Sequence, residues 1–185
     1  MDLVSKFCPA STRMMIVDDD GDLRMILADY FGKRGFNVVS LRSGTDAVEM
    51  LSSSRDQFEI VLTDLVMPGV DGMAVLKAAR RHNPLVQVVV MSGYSSLKTA
   101  IESIRCGAFD YLAKPFELVE IEIVVNRILE HQRLAAENQR LNRKLSLLSE
   151  QARSVDSRLD AIMSLLSTLV ANIDRGDKAL TPLDI

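Results

Sequence analysis

Short apolar runs alternate with segments of helical apolar spacing from residue 13 onward, and this alternation leaves few possible folds. The runs typical of buried strands are 14–17, 36–41, 60–62, 86–91 and 109–113. The segments with helical spacing are 23–34, 44–51, 73–81 and 97–106, and a long helical pattern begins after Pro115. Strands and helices that alternate in this way predict an α/β fold, in which a doubly wound five-stranded parallel sheet carries helices on both faces.

The last third of the chain has a different pattern, because apolar residues recur with four–three spacing over six heptads from Leu134. The d-like positions are Leu134, Leu141, Leu148, Val155, Ile162 and Leu169, and the a-like positions are Asn138, Leu145, Ala152, Leu159, Leu166 and Ile173. Neither Pro nor Gly occurs from Glu117 to Arg175. A helix of this length needs a partner helix, and a buried Asn138 favours its twin in a parallel homodimer.

Three alternatives for this helical extension stay open. A hairpin break near residues 154–157 would fold the extension back on itself. The apolar stripe broadens after Leu159, which would also suit a larger bundle or a docking face for a partner. The predicted domain boundaries are an N-terminal tail at 1–12, a sheet domain at 13–120, a helical coiled-coil dimerisation and output segment at 121–175, and a flexible C-terminus at 176–185.

Composition and charge exclude several classes of protein. The 22 Lys and Arg against 25 Asp and Glu give a net charge of −3, so the chain is not a basic nucleic-acid coat. The two cysteines, Cys8 and Cys106, cannot build a disulfide framework and fit a cytoplasmic protein. No apolar run approaches the length of a membrane span, and the N-terminus lacks the apolar region of a signal peptide.

The residues that can carry chemistry follow the predicted strands. Asp18, Asp19 and Asp20 follow the first, Asp64 the third, Ser92 the fourth and Lys114 the fifth. In a sheet of order 2-1-3-4-5, strands 1 and 3 are neighbours, so Asp18, Asp19 and Asp64 converge at their carboxyl ends. Carboxylates this close need a cation, and Mg²⁺ suits such hard oxygen donors. With Lys114 as a fixed cation and Ser92 as a hydroxyl donor, the set is what a carboxylate needs to accept a phosphoryl group.

Four segments resemble the receiver domain of bacterial two-component response regulators. They are Met15-Ile16-Val17-Asp18-Asp19-Asp20, the run Leu62-Thr63-Asp64-Leu65-Val66-Met67-Pro68-Gly69-Val70-Asp71-Gly72, Met91-Ser92-Gly93-Tyr94, and Gly107-Ala108-Phe109-Asp110-Tyr111-Leu112-Ala113-Lys114-Pro115-Phe116. The resemblance covers about residues 13 to 132. It implies a flavodoxin-like fold with Asp64 as the phosphoacceptor. It further implies that Asp18, Asp19, Asp64 and the Val66 carbonyl bind Mg²⁺, and that Ser92, Tyr111 and Lys114 form the switch and the cationic clamp.

The resemblance also implies a function. It predicts a response regulator of a two-component phosphorelay, phosphorylated by a sensor histidine kinase, whose helical tail changes dimer geometry or partner binding. The protein is expected to be no enzyme beyond slow autophosphatase activity, because Val66 and Tyr94 occupy the positions that tune dephosphorylation in the family and neither orients water well.

The residues 127–148 resemble the coiled linker of NtrC- and DctD-type activators, but we expect neither their ATPase module nor direct DNA binding here. Two alternatives remain: a phosphorylation-independent interaction scaffold with a receiver fold, and a phosphorelay intermediate that passes phosphate to a histidine phosphotransfer protein.

Overall fold

A computed structural model describes residues 12–53, 57–93 and 96–177 of the chain. Its strands are β1 (Arg13–Val17), β2 (Asn37–Leu41), β3 (Ile60–Asp64), β4 (Gln87–Ser92) and β5 (Asp110–Ala113). Its helices are α1 (Gly21–Gly32), α2 (Gly44–Ser53), α3 (Gly72–His82), α4 (Leu97–Arg105) and α5 (Leu118–Asp177). The predicted N-terminal tail up to residue 11 and the last residues of the predicted flexible C-terminus, 178–185, lie outside the described residues.

The five strands form one parallel sheet in the order β2-β1-β3-β4-β5, which confirms the predicted fold class. Side chains alternate between the two faces, so each strand contributes to two cores. Met14 and Ile16 pack with Leu27 and Phe31 of α1 and with the first turns of α5. Met15 and Val17 face α2 and α3 on the other side. Burial on both faces explains why the central strands are continuous apolar runs.

The helix bounds differ from the prediction where side chains cap the backbone. Helix α1 begins at Gly21, two residues before the predicted start, because the Asp20 side chain accepts hydrogen bonds from the backbone N–H groups of Asp22 and Leu23. It ends at Gly32, and Gly35 follows in the left-handed region with a φ of 93°. Asp71 caps α3 in the same manner through the N–H of Ala74. These capping carboxylates are therefore structural.

Helix α5 is a single helix of 60 residues. It is continuous through residues 154–157, so the alternative of a hairpin break there is wrong. The chain divides into two compact units between Arg133 and Leu134. In the first unit the helix buries Ile121, Val124, Val125, Ile128 and Leu129 against the sheet. In the second unit the large apolar side chains of the predicted seam, from Leu134 to Leu169, are 46–63% exposed. No helix within the described ranges is both long and apolar enough to cross a membrane.

A polar cluster joins α1 to the first unit's part of α5. The Tyr30 hydroxyl donates to a carboxylate oxygen of Glu122, and the Arg34 guanidinium lies 3.5 Å above the Tyr30 ring centroid. Arg34 Nε is 3.7 Å from the second Glu122 oxygen. These polar contacts are directional, whereas the apolar packing is not, and they therefore fix the rotation of α5 about its axis relative to α1.

Candidate functional site

The site lies at the carboxyl ends of β1 and β3. Val17 pairs with Thr63 across the two strands, so the residues that follow, Asp18 and Asp64, stand side by side. Lys114, which follows β5, reaches both: its Nζ lies 2.7 Å from Asp18 Oδ2 and 2.8 Å from Asp64 Oδ2. The structure thus brings together the predicted carboxylates and the predicted cation.

Burial and hydrogen bonding have opposite effects on the pKa of Asp18 and on the pKa of Lys114. Asp18 is fully buried, and this burial raises the pKa of its carboxyl above the usual value. The hydrogen bonds from Lys114 and from the Asp20 N–H oppose that rise. Burial also opposes the charge of Lys114, but its hydrogen bonds to Asp18 and Asp64 outweigh burial and raise the pKa of the ammonium. The lysine is therefore held charged between the two carboxylates.

Asp18, Asp19 and Asp64 form a cluster that can hold a metal ion. Each offers a carboxylate oxygen, and these oxygens lie within 4.8 Å of one another. Asp18 and Asp64 are buried, whereas Asp19 is exposed at the rim. Three hard oxygen donors with an open side fit Mg²⁺, which binds few carboxylates and keeps several waters. Val66, whose carbonyl is the predicted fourth ligand, directs its N–H to Asp64 Oδ1 at 3.2 Å and leaves its side chain 51% exposed.

Ser92 and Tyr111 lie on the two strands beside this cluster. Ser92 is fully buried at the end of β4, and its carbonyl accepts a hydrogen bond from the Lys114 N–H at 2.8 Å. Tyr111 pairs in register with Val90 and is half-buried, with its hydroxyl 3.4 Å from Thr99 Oγ1 of α4. Tyr94, the second position predicted to tune dephosphorylation, lies outside the described residues.

A known protein family matches the part of the chain that contains these residues. A family model described as the response regulator receiver domain matches residues 14–126. The chain belongs to the receiver family. Among the solved structures, the receiver domain of the Francisella response regulator 1452 is 26% identical, with a TM-score of 0.59 over 65% of this chain and 98% of that one. NtrX from Brucella abortus is 28% identical, with a TM-score of 0.61 over 69% of this chain and 29% of that one.

Two of the curated relatives carry the names of regulatory proteins. The regulatory protein AtoC of Escherichia coli is 36% identical over 137 residues, which are 74% of this chain and 29% of that protein. The C4-dicarboxylate transport transcriptional regulatory protein DctD of Rhizobium meliloti is 33% identical over 141 residues, 76% of this chain and 30% of that protein. The chain spans less than a third of the length of these relatives.

Two contacts of the receiver site were missed by sequence reasoning. Arg24 Nη1 donates to the backbone carbonyl of Asp18 at 2.7 Å and so fixes the end of β1 from α1. Gly72 lies so close to Asp64, the predicted phosphoacceptor, that a Cβ on Gly72 would be 2.1 Å from the Asp64 carbonyl oxygen. No periodic sequence pattern indicates either contact, although Gly72 is the last residue of the second segment that resembles the receiver family.

Thr99 is a further residue of the receiver site that the sequence did not indicate. It is the third residue of α4, where its hydroxyl and that of Ser96 form a capping box. The same Thr99 oxygen contacts the Tyr111 hydroxyl. The N-terminus of α4 is thereby linked to the predicted switch aromatic.

Replacing Thr99 by valine should lower the free energy of unfolding by about 0.5 kcal/mol, because the Ser96 N–H loses its acceptor while the Ser96 hydroxyl still accepts from the residue 99 N–H. It should also shift the NMR resonances of the Tyr111 ring, since the hydroxyl contact disappears. Ser96→Ala is the matched control, because it removes the cap and leaves the Thr99–Tyr111 contact in place. A Tyr111 resonance that responds equally to both variants would contradict the contact.

Proposed function

We propose that this receiver accepts a phosphoryl group on Asp64 from a sensor histidine kinase, with Mg²⁺, and signals through its helical tail. The observation that carries the proposal is the Lys114 ammonium held between the Asp18 and Asp64 carboxylates. A structural ion pair needs one carboxylate, but here three carboxylates cluster and one lysine contacts two of them, which leaves negative charge that suits a metal ion.

The chain's own residues account for the transfer. A carboxylate oxygen of Asp64 forms the new O–P bond while the P–N bond to the donor histidine breaks, and the imidazole nitrogen retains the electron pair. Lys114 stabilises negative charge on the phosphoryl oxygens at the point where charge develops. Asp18 and Asp19, with Asp64 and the Val66 carbonyl, would hold Mg²⁺, which supplies the remaining neutralisation.

A cleft lies beside Lys114, the lysine that contacts Asp64. Its volume is about 380 Å³, and it is lined by Asp20, Leu23, Lys114, Pro115 and Phe116. Because this lining combines apolar side chains with the Lys114 ammonium, it suits the imidazole and phosphoryl parts of a phosphohistidine. We assign this cleft to the donor side chain.

Phosphorylation then alters the contacts of Ser92 and Tyr111. The buried Ser92 hydroxyl would donate to a phosphoryl oxygen, which draws the loop after β4 inward and gives Tyr111 room to turn. Tyr111 would leave Thr99 and so alter the start of α4. This is a local charge change that biases a two-state element.

The output we assign to this switch is a change in a homodimer formed by the tail. Residues 134–169 carry an exposed apolar stripe with heptad spacing, which a second copy would cover. In this proposal the protein neither catalyses turnover beyond slow autodephosphorylation nor reads DNA directly.

The test is phosphoryl uptake by the purified chain. With Mg²⁺ and a small-molecule phosphodonor, intact-mass spectrometry should find one added phosphoryl group in the wild type and in Asp29→Asn, and none in Asp64→Asn. Asp29 is the control because it is an exposed helical carboxylate paired with Lys33. An unphosphorylated wild type would overturn the proposal and favour an interaction scaffold. Rapid loss of the group to a histidine phosphotransfer domain would favour a relay intermediate.

The phosphorylated form should be long-lived. Val66 is an exposed residue at the rim of the site and has no polar atom in its side chain to orient a water molecule. Val66→Asn should speed phosphoryl loss by roughly tenfold, below the ~10²–10⁴-fold of a positioned general acid or base, because an amide can orient a water molecule but cannot take up its proton. The decay of the phosphoryl mass over time, after the donor is removed, measures both rates. Wild-type decay within seconds would contradict the expectation.

A further inference from the structure

The tail has two segments that differ beside the seam. The proximal segment comprises residues 134–148 and the distal segment residues 159–170. A two-stranded coil buries the a- and d-like positions and leaves the e- and g-like positions partly in contact with water.

The residue types at the seam favour different numbers of helices in the two segments. The proximal segment has Asn138 and Leu145 at a-like positions and leucines at the d-like positions, and the seam asparagine favours two strands. The distal segment has Leu159 and Leu166 at a-like positions and Ile162 and Leu169 at d-like positions. It has no polar seam residue, and the combination of leucine at a with Ile162 at d shifts the preference toward more than two helices.

The distal segment also carries large apolar side chains beside the seam. Met163 and Leu165 are each 66% exposed and Val170 is 59% exposed, all at e- or g-like positions. These positions stay partly in contact with water in a two-stranded coil but are buried in a four-helix bundle. The proximal segment has polar or charged residues at most of its e- and g-like positions, among them Glu137, Asn142 and Lys144.

The polar side of the distal segment limits what can bind its apolar face. From Leu159 to Ala171 the only charged residue is Asp160, and the remaining polar residues are Ser164, Ser167 and Thr168. A helix that lies on a membrane surface carries Lys or Arg on its polar face, and none occurs here. Every copy of the chain presents the same apolar face, so two dimers can bury these faces against each other in an isologous contact under twofold symmetry.

We infer that the distal segment joins two dimers of this chain into a tetramer by forming a four-helix bundle. The inference rests on the homodimer of the proposed function. It adds a second contact, formed by Met163, Leu165 and Val170, to the seam that forms the dimer. Residues 134–148 remain two-stranded in this assembly, with the Asn138 side chains paired.

Sedimentation equilibrium of the full chain tests this inference. The wild type should have a mass of four times the 20.5 kDa chain at high concentration and should dissociate to a dimer on dilution. The triple variant Met163→Gln, Leu165→Gln and Val170→Gln should stop at the dimer, with unchanged helix content by circular dichroism. Leu147→Gln is the matched control, because Leu147 is an exposed leucine at a c-like position away from both contacts, and it should stay tetrameric.

The outcomes separate the two proposals. A wild type that is dimeric at all concentrations overturns the tetramer, leaves the proposed dimer intact and assigns the apolar face of the distal segment to a helix of another protein. A wild type that is monomeric overturns the dimer and the tetramer together. A triple variant that stays tetrameric, or a Leu147→Gln variant that becomes dimeric, overturns the assignment of the contact to the distal segment.

Discussion

Replacing Gly72 by alanine should lower the free energy of unfolding by about 3 kcal/mol, the upper part of the range for overpacked interiors. The added Cβ would be 2.1 Å from the Asp64 carbonyl oxygen and 2.9 Å from the Leu65 Cα. Both atoms belong to the backbone, so no side chain can rotate away. The Gly72 N–H also donates to the Leu65 carbonyl, which keeps α3 close to the end of β3. Urea unfolding followed by circular dichroism measures the change.

The control for this prediction is Gly32→Ala at the end of α1. A Cβ on Gly32 would meet nothing within 4 Å, and alanine has the higher helix propensity, so this variant should be stabilised by roughly 0.5–1 kcal/mol. Gly72→Ala should also take up phosphoryl groups more slowly than the wild type, because the collision displaces the residue proposed to react. Equal stability of the two variants would show that β3 and α3 are free to separate.

Replacing Lys114 by methionine should cost about 3 kcal/mol of unfolding free energy in the absence of divalent cations. The change keeps much of the apolar stem and removes the ammonium that pairs with Asp18 and Asp64. Asp18 is fully buried, so its charge would lack compensation. The cost should be near the lower end for breaking buried pairs because Lys114 keeps 18% of its side chain exposed.

Added Mg²⁺ should restore more stability to Lys114→Met than to the wild type, since a cation that binds only the folded state stabilises it by mass action. Lys33→Met is the matched control. Lys33 is 72% exposed in an i,i+4 pair with Asp29, and losing such a pair costs less than about 0.5 kcal/mol. Thermal unfolding with and without Mg²⁺ measures all three proteins. A Lys114→Met protein as stable as Lys33→Met, with no gain from Mg²⁺, would count against an electrostatic role for the lysine.

The sheet and the carboxylate cluster could be predicted because they follow from periodicity and topology. A buried parallel strand reads as an apolar run, and the residue after it lies at the carboxyl edge whatever its neighbours are. Asp18, Asp64 and Lys114 meet for that reason. The α1 bounds were less well predicted, since Asp20 starts the helix through its side chain before the apolar spacing begins.

The contacts that could not be predicted depend on distances between segments far apart in sequence. The hydroxyl of Thr99 reaches Tyr111, and the Arg24 guanidinium reaches the Asp18 carbonyl, only after the helices have packed on the sheet. Polar residues near residues 154–157 also suggested a break, yet α5 continues through them, because serine and aspartate have only moderately reduced helix propensity.

The burial of Ile121, Val124, Val125, Ile128 and Leu129 in the first unit has a consequence for how such proteins can be recombined. These residues belong to the same helix as the heptad stripe, so receiver and tail share one uninterrupted backbone element. A gene fusion that joins this receiver to a different output keeps the sheet covered only if the junction lies after Leu129. Because the helix has 3.6 residues per turn, the number of residues inserted there also sets the angular phase of whatever follows. Viable chimeras should therefore recur at insertion lengths that restore the heptad phase.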